Sequence, residues 1–286
     1  MQRSKPIWIT GSKGRLGSVI RKQFSSHTEF KVIGTDIDVD ITDIHAVRQA
    51  MDVYRPHIVI NCASISDAAY CEEHRTEAYR VNALGARNLA SATEEHNAKL
   101  IHISTDDVFS GERNIPKNEF DVPTPKTVYG KSKFAGENFI RDLNPRHLVI
   151  RSSWVYGTGE RSYYDFVLEK AKAGEKFKAP MDVISTPTNI YHIADFIEKI
   201  LSSNEYGIFH VASKGACSRL EYAREVLRLN GYDEDLVEGT LAEKDGHITS
   251  TVLETLMLEM AGLYEMPDWK DALKAYAEKR KLEEGH

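Results

Sequence analysis

Residues 10–17 read Thr-Gly-Ser-Lys-Gly-Arg-Leu-Gly (TGSKGRLG), a G-x-x-G-x-x-G loop. Residues 7–10 before it are a short apolar run of β-forming character, and residues 16–24 after it have the apolar spacing of a helix. A glycine loop between strand and helix is the turn that receives a dinucleotide pyrophosphate. Gly11 turns sharply at positive φ, Gly14 admits the close approach of a phosphate, and Gly17 lets the helix pack against the strand. The helix N-terminus, with Leu16 in its first turn, then offers amide hydrogens and partial positive charge to the anion. Three spaced glycines are weak grounds by themselves. The context adds a second strand at 31–35 closed by the acidic Asp36, the position that takes a ribose 2′-hydroxyl.

Working outward, further short apolar runs occur at 57–61 (HIVIN), 100–104 (LIHIS), 147–151 (HLVIR) and 207–211 (GIFHV). Between or after them lie helical stretches at 43–54, 75–96, 163–173, 193–202, 219–229 and 269–281. Short apolar strands alternating with helices predict an α/β chain: a Rossmann-type, doubly wound parallel sheet with a small C-terminal substrate-binding lobe. The expected division is 1–156 for the dinucleotide-binding domain, with a soft boundary because no linker is visible and later segments complete the sheet, and 157–283 mainly for the substrate lobe. Residues 284–286 are set aside as a tail left from expression.

The composition excludes several classes. The 286 residues carry a formal charge of -6, 41% hydrophobic and 28% charged residues, which is ordinary for a globular chain. Net negative charge makes nucleic acid and anionic membrane poor partners. No apolar run approaches the ~20 residues that span a bilayer. Cys62, Cys71 and Cys217 form no C-x-x-C pair and no even framework, so a cytoplasmic protein with reduced thiols is expected. The eleven histidines are scattered, and none pairs with Cys, Asp or Glu at zinc-site spacing, so no metal is indicated. Glu72-Glu73-His74 is read as a solvated helix end.

Tyr129 and Lys133 stand four residues apart in Tyr-Gly-Lys-Ser-Lys, on one face of a predicted helix. A free phenol titrates near ~10, too high for efficient acid–base work at neutral pH, and an adjacent ammonium would bring it down. The pair lies one strand-to-helix step after Ser104-Thr105-Asp106, where a hydroxyl at a strand C-terminus can hold a carbonyl oxygen. Ligands of open α/β sheets bind at those strand ends. Cofactor choice stays open. Asp36 favours NAD(H), whereas Lys13 and Arg15 are either ligands of a 2′-phosphate or solvated loop charges. Their presence tips the expectation to NADP(H). Asp40 and Ile41 come next and could flank the adenine.

The loop, together with VINCAS at 59–64, VNALGARNLA at 81–90, HISTDDVFSG at 102–111 and YGKSKFAGE at 129–137, resembles the extended short-chain dehydrogenases/reductases. Asp40-Ile41-Thr42-Asp43, Glu119 to Asp121 with Pro125, RSSWVYG at 151–157, STPT at 185–188, HVASKGACSRLEYA at 210–223 and MPDWKDAL at 266–273 extend the likeness, nearly end to end, to the dTDP-4-dehydrorhamnose reductase family. The resemblance implies a catalytic set of Thr105, Tyr129 and Lys133, with Ala63 and Ser64 along the cofactor and Trp154 near the sugar. It implies hydride delivery to the C4 ketone of a 4-keto-6-deoxy sugar nucleotide, in deoxysugar and polysaccharide biosynthesis, by an enzyme that can form a homodimer.

The sequence also departs from the family. Asp107 replaces the tyrosine of S-T-D-Y-V-F, residues 68–72 lack the usual V-D-K-A-E acid and base, and Asp245 to Ile248 stand where an Arg-Pro is common. Asp106 and Asp107 are therefore weighed as substrate-side residues. Thr105-Asp106-Asp107 is also similar to the Thr-Asp-Glu of sugar-nucleotide 4,6-dehydratases, where adjacent carboxylates divide acid and base roles. A dehydratase or epimerase is one alternative. An NADP-binding regulatory subunit without catalysis is another.

Overall fold

The computed structural model describes residues 4–111, 115–158, 162–201, 203–242 and 250–284. The substituted stretch at 245–248 and residues 285–286 lie outside these. In chain order the elements begin with β1 (Lys5–Thr10), α1 (Arg15–Phe24), β2 (Phe30–Gly34), α2 (Ile44–Tyr54) and β3 (Ile58–Asn61). They continue with α3 (Ala68–Glu73), α4 (Arg75–Tyr79), α5 (Ala86–Glu95), β4 (Lys99–Thr105), α6 (Val128–Leu143) and β5 (His147–Ser152). Then come β6 (Val155–Tyr156), α7 (Tyr163–Ala173), β7 (Phe177–Pro180), β8 (Ile184–Ser185), β9 (Thr188–Asn189), α8 (Ile190–Ile200) and β10 (Gly207–His210). The last are β11 (Cys217–Ser218), α9 (Arg219–Leu229), β12 (Val237–Thr240), α10 (Leu256–Ala261) and α11 (Trp269–Glu284).

The six apolar runs of the sequence are the six strands of one sheet, in the order β10-β5-β4-β3-β1-β2. β1 pairs in parallel with both β2 and β3, and β3 with β4. Strand order reverses between β1 and β3, which is where an open α/β sheet binds its ligand. Register lines up Thr10, Asn61 and His102 in one row across β1, β3 and β4.

The chain forms two compact units. The first comprises Met1–Phe109, Val122–Arg151 and Ala194–Phe209, and the second Ser110–Asp121, Ser152–Ile193 and His210–His286. The chain therefore passes between the two units several times. In the first unit Trp8, Val59, Leu100 and Val149 of the sheet pack with Met51, Leu89 and Ile140 of the helices. In the second, Tyr156, Tyr164, Val167, Tyr222, Leu227, Leu273 and Tyr276 form an aromatic-rich core, under the short pairs β6–β9, β7–β12 and β8–β11.

Two helices differ from expectation. The stretch 75–96 is interrupted by a π-helical turn over Arg80–Gly85. There Asn82 turns its amide to both backbone groups of Ile65, at 2.9 Å each, and to Ser132 Oγ at 3.0 Å. This ties the loop after β3 to α6, and apolar spacing carries no trace of it. α8 starts at Ile190 rather than 193, because Asn189 Oδ1 accepts from Tyr191 N at 2.9 Å and so fixes the first turn.

Candidate active site

The glycine loop joins β1 to α1 at the point of strand reversal. Gly11 has φ +62°, and a Cβ there would stand 2.6 Å from Ala63 N. A Cβ on Gly17 would stand 2.2 Å from Gly11 O. The loop backbone thus lies directly against Ala63, after β3, and neither glycine admits a side chain. The N-cap of α1 is Gly14, which brings no side-chain acceptor to the first-turn amides around Leu16. This cradle fits a pyrophosphate.

The remaining cofactor-side residues are disposed unequally. Lys13, Arg15, Asp40 and Ser64 are exposed. Asp36 Oδ2 accepts from Lys13 N at 3.0 Å and Oδ1 from Ile37 N at 3.1 Å, so its carboxylate braces the loop. Ile41 is 6% exposed and packs on Gly85, while its carbonyl accepts from Asn88 Nδ2 at 3.0 Å. Its side chain belongs to the core.

Thr105 closes β4 and caps the 3₁₀ turn Asp106–Val108, its Oγ1 accepting from Asp107 N at 3.2 Å. The same Oγ1 donates to Asp106 Oδ1 at 3.2 Å. Tyr129 sits in the first turn of α6, whose N-cap Thr127 accepts from Gly130 N. Gly130 packs so closely that a Cβ would stand 2.1 Å from Asp107 O. Thr105, Asp106, Asp107 and Tyr129 are thereby brought together. Glu72 belongs with them: its Oε1 accepts from Val128 N at 2.7 Å, steadying the turn that carries Tyr129. The polar run at 72–74 had not suggested this.

The phenol of Tyr129 is pushed up from the ordinary tyrosine range, first by burial and then by the Asp107 carboxylate, against a hydrogen bond with Thr105 that pulls it down. Lys133 follows one turn later with 2% exposure. Its Nζ donates to Ile103 O at 2.6 Å and lies 3.3 Å from His102 Nε2. The Lys133 side chain is held against β4, and burial together with the Asp107 carboxylate outweighs the lowering that the Y-x-x-x-K spacing leads one to expect. Burial lowers Lys133 itself to about 8. Next to Lys133, burial pushes the Cys62 thiol up to about 12.

α6 is anchored from below by residues the sequence reading did not single out. Glu137, 0% exposed, pairs with Arg151, 1% exposed, at 2.6 Å, and accepts from Ser104 Oγ at 2.5 Å. Their positions inside YGKSKFAGE and RSSWVYG were the available signal. In the second unit Trp154 takes φ +38°. The Arg219 guanidinium lies 3.5 Å over its ring and 4.8 Å over that of Tyr163, a sandwich that sequence spacing does not reveal. Among the described residues no group of three His, Cys, Asp or Glu is arranged to hold a metal, and no helix is long and apolar enough to cross a membrane.

A parallel sheet with a glycine cradle at its reversal point, a Thr at the end of β4 and a Tyr-x-x-x-Lys helix defines a Rossmann-type oxidoreductase of the extended short-chain dehydrogenase/reductase class. The chain belongs to the RmlD substrate binding domain family, whose model matches residues 5–282. It is 32% identical over 277 residues to the spore coat polysaccharide biosynthesis protein SpsK of Bacillus subtilis, covering 96% of this chain and 97% of that one. Among solved structures it superposes on dTDP-4-dehydrorhamnose reductase from Clostridium acetobutylicum with a TM-score of 0.92 and 36% identity, over 96% of this chain and 99% of the other. The Bacillus anthracis enzyme of the same name, solved with NADP, gives a TM-score of 0.92 and 32% identity over 96% and 98% of the two chains.

Proposed function

We propose that this chain reduces the 4-keto group of a 4-keto-6-deoxy sugar nucleotide with NADPH, Tyr129 being the proton donor. The observation that carries the proposal is the placement of that phenol. Tyr129, in the first turn of α6, is packed against the turn that Thr105 caps at the C-terminal end of β4, with Gly130 seated on Asp107 O and Lys133 one turn further along the same helix. The relatives support the substrate class and the nucleotide: several carry the name dTDP-4-dehydrorhamnose reductase, and one is solved with NADP. NADPH, when bound at the glycine cradle, supplies the hydride.

The chain's own groups do the rest. The Thr105 hydroxyl, on turning its one proton from Asp106 to the substrate, and the Tyr129 phenol are donors for the carbonyl oxygen, and the phenol gives up its proton as that oxygen gains charge. Lys133 lies one turn away on α6 and balances the phenolate charge that remains. Gly11, Gly14, Gly17, Leu16, Ala63 and Ser64 are assigned to the cofactor backbone, Lys13 and Arg15 to a 2′-phosphate. Asp36 and Asp40 are assigned to the adenosine side, with Ile41 backing them from the core. Asp106 and Asp107 are assigned to the substrate side. In the second unit Trp154, held under Arg219, is assigned to the sugar nucleotide. The proposal places the enzyme in the cytoplasm, where its three free thiols stay reduced, and as a homodimer, which light scattering on the purified chain tests.

The test follows NADPH oxidation with a panel of 4-keto-6-deoxy sugar nucleotides. Turnover of at least one, lost in Tyr129→Phe, is expected. Retention of wild-type rates in Tyr129→Phe overturns the mechanism. A 4-keto product formed from an unmodified sugar nucleotide, and lost in Asp107→Asn, would establish elimination chemistry instead.

A further inference from the structure

The register row Thr10, Asn61, His102 ends on Lys133, and its donors and acceptors can be assigned without ambiguity. Ala63 N donates to Asn61 Oδ1 at 3.1 Å, and Thr10 Oγ1 donates to the same atom at 2.8 Å. A backbone N–H can only donate, so the amide oxygen stands on that side and the NH₂ on the other. The NH₂ lies 2.9 Å from His102 Nδ1. Nδ1 must therefore accept, and the one proton of a neutral imidazole sits on Nε2. Nε2 lies 3.3 Å from Lys133 Nζ. Asn61, His102 and Lys133 are 2%, 1% and 2% exposed, so bulk water does not rearrange these roles.

An Nε2–H aimed at an ammonium sets two donors against each other, whereas aimed at an amine it makes a hydrogen bond. A doubly protonated ring would oppose donors at both ends. We infer that His102, locked as its Nε2–H tautomer by Asn61 and Thr10, is a positioning residue that donates to the Lys133 amine and keeps this lysine able to take up and release a proton in the working pH range. The inference rests on the reductase reading for its purpose. Each turnover takes a proton from the Tyr129 phenol. A weakly held Lys133 ammonium one turn along α6 is a source of that proton: its N–H bond breaks, the proton goes to the phenolate oxygen to remake the O–H, His102 Nε2–H meets the freed lone pair, and the amine recovers a proton from solvent between turnovers.

The other charged and titratable groups facing Lys133 are consistent with a near balance. Glu137 on its own helix and Cys62 after β3 favour the ammonium, burial opposes it, and the outcome is about 8. Burial and the neighbouring lysine drive His102 well below the ordinary histidine range, so the ring stays neutral.

Nitrogen-15 NMR of the full chain, labelled in histidine or lysine, tests this without substrate. The expected result is a neutral Nε2–H tautomer for His102 across the neutral range, with Lys133 Nζ titrating at about 8. His102→Met removes the donor and should raise the Lys133 midpoint, and with it the corresponding limb of the kcat pH profile, by ~1 unit. His102→Gln, which can present an amide N–H to Nζ, should bring both back toward wild type. An Nδ1–H or doubly protonated ring in the wild type overturns the inference even if the methionine variant does not fold. So does a Lys133 midpoint that ignores the substitution. Failure of every sugar nucleotide to turn over would instead defeat the reductase reading, and the lysine midpoint would still judge His102.

Discussion

Glu137 and Arg151 are joined by three hydrogen bonds in the interior of the first unit, Arg151 Nη2 reaching Glu137 Oε2 at 2.6 Å and Nε reaching Oε1 and Oε2 at 3.0 and 3.2 Å. With Ser104 on the same carboxylate, the pair couples α6 to β4 and β5 one turn beyond Lys133. Two buried charges in such geometry stabilise little relative to an apolar pair, but either one left alone is costly. Glu137→Leu should therefore destabilise by about 3–5 kcal/mol, and the double variant with Arg151→Met by less than the single one. Urea unfolding of the three proteins decides it: a double variant weaker than both singles would contradict the coupling.

Asp107 and Tyr129 give the next expectation. After burial, the Asp107 carboxylate is the strongest influence raising the phenol. Removing that charge makes the phenolate easier to form, so Asp107→Asn should lower the midpoint of tyrosinate appearance by ~1 unit. The measurement is an ultraviolet titration of the variant, with the same titration in a Tyr129→Phe background subtracted. No change, or a rise, would mean that Asp107 does not act on the phenol through its charge.

Lys133 makes stability depend on pH in a defined direction. Its pKa falls from 10.5 to about 8 on folding, so the folded chain binds this proton less well than the unfolded one. The contribution to stability is then fully present above the unfolded value, and it declines as pH falls toward the folded one. At neutral pH the penalty is on the order of 3 kcal/mol, against which the hydrogen bond to Ile103 O contributes about 1 kcal/mol. Lys133→Met should thus be inactive and yet more stable than wild type at neutral pH. The gain should shrink as pH rises through the interval from about 8 to 10.5. Thermal unfolding across that interval is the check, and a methionine variant less stable at every pH would refute the sign.

Much of this was legible in the sequence, and the physical reasons are specific. The strands were visible because each centres on a short, mostly apolar run, as HIVIN at 57–61 shows. Gly11, Gly14 and Gly17 were visible because their spacing is the loop's geometry. The π-turn at 80–85, the Glu72 bond to Val128 N and the Arg219–Trp154 stack were not, because each depends on a residue distant in sequence. Tyr129 and Lys133 show the limit most clearly. Four-residue spacing put both on α6, but only the packing of β4 discloses that Nζ turns to Ile103 and His102, and only the fold discloses the burial and the Asp107 carboxylate that raise the phenol.

Asp36 bears on the choice between NADPH and NADH through the same kind of detail. An acidic residue closing the second strand is expected to accept from a ribose 2′-hydroxyl and repel a 2′-phosphate. Here both carboxylate oxygens already accept backbone amides, from Lys13 and Ile37, so the side chain is held to the loop. Lys13 and Arg15 are exposed on that same loop. Removing the brace with Asp36→Ala should therefore weaken NADPH and NADH by similar factors. Lys13→Ala and Arg15→Ala should each weaken NADPH selectively, by ~10-fold for one charge-assisted hydrogen bond to phosphate. Separate titrations of the four proteins with both nucleotides measure this. A wild-type preference for NADH, abolished in Asp36→Ala, would show that the carboxylate discriminates after all.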